Sequence, residues 1–182
     1  MALNLSTDRD NQYGAALALG FAGSIAPVQP LRENLAKRFP EDTAAKFSYL
    51  PTLDALLALA RDNPGKAIDA LQVAAPYELG QPGQSLFIFS IGYPIYLRGV
   101  AYLAARRGSE AAAEFQKLLD HRGVVVNEPI GALAHLGLAR AYRLQGDTTR
   151  ARAAYQDFLT LWKDADPDIP IFKQAKSELA AL

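Results

Sequence analysis

The chain has 182 residues, 50% of them hydrophobic and 21% charged, with 19 Lys+Arg balanced by 19 Asp+Glu and no cysteine. That composition can bury a core and is far from that of a disordered chain. The zero formal net charge removes the field that draws non-specific binders to phosphates, and the missing cysteines exclude disulfides, thiolate metal sites and a cysteine nucleophile.

In chain order, apolar residues recur at helical spacing nearly everywhere and at strand spacing almost nowhere, as in Leu53, Leu56, Leu57 and Ala60. The uncharged run from Asn11 to Leu31 has only about a dozen continuous apolar or glycine positions, short of the roughly 20 that a membrane span needs. Asp8 and Asp10 stand ahead of it where a secretory signal carries Lys or Arg, so no signal peptide and no membrane insertion are expected. A first helical pair is expected over 9–40, broken at Gly23-Ser24, with Pro27 tolerable in a first turn and Pro30 delaying or kinking its second helix. A second pair, 42–79, turns at Asn63-Pro64-Gly65, where Asn63 or Asp62 can cap and Pro64 falls in the first turn. After a Gly80–Gly83 loop, a third pair spans 88–122 and turns at Gly108-Ser109. A fourth spans 130–164, with Gly146 ending one helix and Asp147 starting the next. Pro170 opens a last amphipathic helix within 168–182 that covers the apolar flank of the stack.

The third and fourth pairs repeat one another. Gly99, Tyr102, Ala111, Phe115 and Leu118 fall on Ala139, Tyr142, Ala151, Tyr155 and Phe158 at a constant offset of 40. Small residues there let two helices approach, and the aromatic residues fill the space between them. Ala139, Tyr142, Gly146, Ala151, Tyr155 and Phe158 also sit at the spacing of the tetratricopeptide pattern, a helix-turn-helix unit of 34 residues. Weaker copies run through Ala55, Ala67, Leu71 and Ala74, and through Ala16, Gly23, Leu35 and Pro40. The expected fold is all-α: a right-handed tetratricopeptide-like superhelix of about four helical hairpins plus a C-terminal capping helix.

The segments 36–42 (AKRFPED), 75–80 (APYELG), 119–123 (LDHRG) and 127–131 (NEPIG) give the whole chain a narrower likeness. It resembles the C-terminal tetratricopeptide region of eukaryotic-like serine/threonine protein kinases from acidobacteria and their relatives. The resemblance implies a kinase domain and a membrane-spanning helix upstream in the parent, with this region outside the cytoplasm; without such a parent the expected compartment is the cytoplasm. The chain itself has no Val-Ala-Ile-Lys, His-Arg-Asp or Asp-Phe-Gly, since His121-Arg122 is followed by Gly123. It is expected not to be an enzyme, and no cofactor is expected.

Two histidines cannot make a recognisable zinc site, and no carboxylates have calcium-loop spacing. His135 reads as a packing residue, and His121 as a solvated loop residue or a helix cap. The site argument rests instead on the first helix of each pair, which lines the inner wall of such a stack. Its inward positions are Tyr13 and Leu17, then Tyr49, Thr52 and Leu56, then Tyr93, Tyr96 and Val100, then Leu133, Leu136, Arg140 and Arg143. An aromatic groove with an arginine end suits a protein or peptide partner, because Tyr and Arg carry much of the energy at interfaces. Tyr13, Tyr49, Thr52, Tyr93, Tyr96, Arg140 and Arg143 are the candidate partner-binding residues; nucleic acid is not an expected partner. The alternatives are a small-molecule sensor, with the run Leu86–Leu97 lining a pocket, and a self-association module that pairs two copies as a homodimer.

Overall fold

A computed structural model of the chain describes residues 8–80, 92–125 and 128–182. The described residues form helices and no strand. In order these are α1 (Arg9–Phe21), α2 (Val28–Arg38), α3 (Leu50–Leu59), α4 (Pro64–Leu71), α5 (Tyr93–Ala104), α6 (Gly108–Asp120), the short α7 (Arg122–Val125), α8 (Pro129–Leu144), α9 (Thr148–Leu161) and α10 (Pro170–Ala180). The pairs α1/α2, α3/α4, α5/α6 and α8/α9 pack as hairpins. The first helices also pack in series, α1 on α3, α3 on α5 and α5 on α8, while α2, α4 and α6 each touch the first helix of the following pair. α10 packs on α9, in the place that another first helix would take. The architecture is an all-α, tetratricopeptide-like stack, as expected. Half of the run Leu86–Leu97 proposed as a pocket wall, residues 86–91, lies outside the described residues.

Proline and one recurring turn set the hairpins. Pro64, Pro94, Pro129 and Pro170 stand in the first turn of a helix, where a missing N–H costs nothing. Each hairpin turn has a residue in the left-handed region: Gly23 (φ 77°), Asp62 (φ 52°), Arg106 (φ 62°) and Gly146 (φ 78°). The next N–H then reaches back to close the first helix, Ser24 to Leu19, Asn63 to Ala58, Arg107 to Tyr102 and Asp147 to Tyr142, at 2.8 to 3.0 Å. Asn63 and Asp147 are also N-caps of the following helix, each accepting from the N–H three residues on. Ser109 does not cap, because α6 starts at Gly108 behind Arg107. Ser24 closes α1 but does not open α2, which starts later, at Val28, with Pro27 before it and Pro30 inside its first turn. Ahead of α3, residues Ala45–Tyr49 form a π-helical turn. Pro51 offers no N–H to the preceding turn and its ring crowds the carbonyl of Phe47, so that turn widens.

The third and fourth hairpins lock through a ring in a slot. Phe115 of α6 is fully buried, and a Cβ added at Gly99 of α5 or Gly137 of α8 would lie 2.8 or 2.5 Å from its ring. A buried ion cluster fastens the chain after α4 to this pair. Arg98 donates to both Glu78 oxygens at 2.9 and 2.8 Å, to Glu114 at 2.7 Å and to the Leu71 carbonyl at 3.2 Å, and Lys117 also pairs with Glu78. Two cations meet two anions there, so truncating one partner strands a buried charge, at a cost of about 3–5 kcal/mol.

Two stability outcomes follow from these positions. Ala151, fully buried in the α8/α9 pair, leaves no room for growth. Ala151→Leu should cost about 1–3 kcal/mol and lower Tm by several degrees in a thermal melt. Arg106→Gly should do the reverse. It removes a left-handed strain of about 1–2 kcal/mol against an added unfolded-state entropy of about 0.5–1 kcal/mol, so Tm should rise by a degree or more.

Candidate functional site

The aromatic positions of the first helices are mostly core. Tyr13 and Tyr49 stack with centroids 3.8 Å apart and planes 1° from parallel, and both are buried. The Tyr49 hydroxyl donates to Asp10 at 2.9 Å, and Arg9 ties Asp10 and Asp42 together at 2.7 and 2.6 Å. Thr52 is fully buried and donates to the Ser48 carbonyl one turn back at 2.6 Å. Tyr93 is buried and donates to Glu128 at 2.8 Å. Burial pushes the hydroxyls of Tyr13, Tyr49 and Tyr93 above their ordinary pKa, and the carboxylates beside Tyr49 and Tyr93 add to the effect. Phe21 at the end of α1 reaches across to α5, 5.8 Å from Tyr93 and 6.2 Å from Tyr96. The reading of Tyr13, Tyr49, Thr52 and Tyr93 as an open wall is therefore corrected: rings from successive first helices bury one another instead of facing water.

The other three candidates come together. Tyr96 is half-buried, edge-on to Phe115 at 5.9 Å. Burial raises its hydroxyl pKa, and the nearby Arg140 guanidinium offsets part of the rise. Arg140 and Arg143 line a pocket of about 320 Å³ together with Leu103, Leu144 and Arg106. Arg140 is already engaged by Glu178 of α10 in a two-pronged contact at 2.9 and 3.0 Å, and the Tyr155 hydroxyl donates to the same carboxylate at 2.7 Å. Arg143 and Arg106 are exposed; Arg143 acts on Glu178 through its charge, and neither forms a direct ion pair among the described residues. Arg106 is the residue that the inner-wall positions missed. It lies in a turn, at the place that Gly146 takes forty residues later, and inner-wall spacing describes helices only.

The two histidines have separate roles. His121 is exposed with Nδ1 2.8 Å from the Lys117 carbonyl, closing the end of α6. His135 faces Asp157 at 3.7 Å. Among the described residues no group of three or more His, Cys, Asp or Glu side chains is placed to hold a metal ion, and no helix is long and apolar enough to cross a membrane.

The repeat assignment has support beyond geometry. Residues 96–168 match the family model of the tetratricopeptide repeat. This stretch is similar to the tetratricopeptide repeat. It covers the Gly99/Phe115/Gly137 slot, the arginine pocket and the turns at Arg106 and Gly146. No match is found among curated proteins. Tetratricopeptide repeats generally mediate protein–protein interaction or scaffolding and are typically non-catalytic.

The capping helix should respond to acid. Burial alone would raise the Glu178 pKa, but Arg140 and Tyr155 outweigh it and hold the carboxyl below its ordinary 4.5. The unfolded chain then takes up this proton first, so stability falls as pH drops from about 4.5 through the lower folded value. In melts across that range Glu178→Gln should be less stable than the parent at pH 7 and lose less on acidification; parallel curves would show that the contact carries no stability.

Proposed function

We propose that the chain is a single non-catalytic protein-interaction domain that holds an acidic or C-terminal peptide in its arginine pocket. We place it in the regulatory repeat region of a larger bacterial signalling protein of serine/threonine kinase type. The resemblance of the segments at 36–42, 75–80, 119–123 and 127–131 supports that parentage. In a single-pass parent the domain would lie outside the cytoplasm.

The observation that carries the peptide reading is Arg106. A non-glycine residue with φ at 62° is strained, and Arg lacks the short polar side chain that eases this for Asp62 in the equivalent turn. Gly146 shows that the turn can be made without strain. What Arg106 adds is a second exposed guanidinium beside Arg143, in a pocket whose third arginine is held in place by Glu178. Guanidinium groups suit carboxylates through paired N–H donors. Leu103 and Leu144 offer apolar contact next to them, and Tyr96 stands at the Arg140 side.

The test uses a fluorescein-labelled peptide ending in Leu-Asp-Glu-Leu-Glu, compared with its C-terminal amide, by fluorescence anisotropy. The free acid should bind more tightly than the amide. Arg106→Gly should weaken binding while raising Tm, and Arg143→Ala should add to the loss. Both effects should be largest at low salt, because exposed charges are screened over about 10 Å at 0.1 M ionic strength. Unchanged affinity in the double variant, at any salt concentration, would remove the pocket from the interface.

A further inference from the structure

A second cavity, of about 770 Å³, shares no residue with the arginine pocket. Its volume lies in the range of small-molecule sites. Gly131, Ala132 and His135 on the outer face of α8 form its floor, with Leu118 and Leu119 of α6 on one side and Thr160 and Leu161 of α9 on the other. It stays open because α6 and α9 each pack on α8 rather than closely on each other, and because the floor residues Gly131 and Ala132 are small. Trp162 adds an aromatic ring, and Leu161 is 59% exposed, unusually high for a leucine beside a cavity.

The charges around it decide what it can hold. Glu128 already accepts the Tyr93 hydrogen bond, and Asp157 faces His135. Burial holds the His135 imidazole below its ordinary pKa, Arg122 lowers it further and Asp157 opposes them, so the ring is neutral at pH 7. Arg122, exposed at the lip, meets no carboxylate or hydrogen-bond partner among the described residues. Arg122 is the one cation of the lining, Asp157 beside the neutral His135 is an anion without a cationic partner among the described residues, and the walls between them are apolar.

We infer that this cavity binds a small amphiphilic anion, with an apolar, ring-sized body against Leu118, Leu161 and Trp162 and a carboxylate or sulfonate on Arg122. The site is independent of the peptide pocket. Asp157 works against the anion, so its neutralisation strengthens binding.

The probe is 1-anilinonaphthalene-8-sulfonate, whose fluorescence rises in apolar sites and which accepts energy from tryptophan. Trp162 is the single tryptophan of the chain and lines this cavity, so transfer from it accompanies binding here, and the variants below fix the location. The expected result is one saturable site per chain with transfer from Trp162. Ala132→Leu, which fills the floor, should abolish it. Arg122→Ala and Leu161→Ser, both at exposed positions, should each weaken it by about fivefold or more, and Asp157→Asn should tighten it. Arg106→Gly with Arg143→Ala should leave it unchanged. Unsaturable binding, full affinity in a cooperatively melting Ala132→Leu variant, full affinity in Arg122→Ala, or loss in the Arg106/Arg143 variant would each overturn the assignment.

Discussion

One aromatic ring between two glycines organises the C-terminal half of this molecule. Phe115 can lie fully buried between α5 and α8 only because neither Gly99 nor Gly137 has a Cβ. The two glycines are not free, since each costs a helix interior about 1 kcal/mol relative to alanine. A buried phenylalanine offsets this, its loss costing about 3–5 kcal/mol. Forty residues on, Tyr155 stands in for Phe115, Ala139 for Gly99 and Ser177 of α10 for Gly137. There the ring gains a hydroxyl that donates to Glu178, the neighbour of Ser177. At this end the equivalent ring carries a polar contact to α10.

Both proposed surfaces follow from that spacing. With Phe115 holding α5 against α8, the last turns of these helices bring Leu103, Arg106, Arg143 and Leu144 to one pocket. On the other side α6 and α9 are both seated on α8, and the gap over Gly131 and Ala132 remains. Neither surface uses the tyrosines of α1 and of the π-helical turn. In that half the inner wall is filled by its own side chains, and Arg9 and Asp10 seal its polar edge. The buried cluster of Arg98, Glu78, Glu114 and Lys117 joins the chain after α4 to the α5/α6 hairpin.

The sequence made local features legible and left long-range ones hidden. Gly146-Asp147 and Asn63-Pro64 announce their turns because stop and start chemistry sit side by side. The offset of 40 exposes Phe115 and Tyr155 as equivalent rings, since their role depends on residue size alone. Asp62 and Arg106 give no such sign, because the left-handed conformation they share with Gly23 and Gly146 is imposed by the hairpin and not by their own preference. The π-helical turn is likewise visible only once Pro51 is known to continue a helix and not to begin one. Helical spacing groups Tyr13, Tyr49 and Tyr93 on one side, but their burial depends on long-range contacts that spacing does not show. Arg140 was legible as an inner residue, while its carboxylate partner lies 38 residues away on α10.

The most direct measurement of the ring-and-slot account is a double-mutant cycle between Phe115 and Gly137, followed by denaturant unfolding. In the parent, Gly137→Ala pushes a methyl group to 2.5 Å from the ring, and the overpacking should outweigh the gain in helix propensity of about 1 kcal/mol. In a Phe115→Leu background the obstruction shrinks, and the same substitution should become stabilising. A reversal of sign between the two backgrounds is the predicted result; the same sign and size in both would contradict the claim that this contact sets the stack.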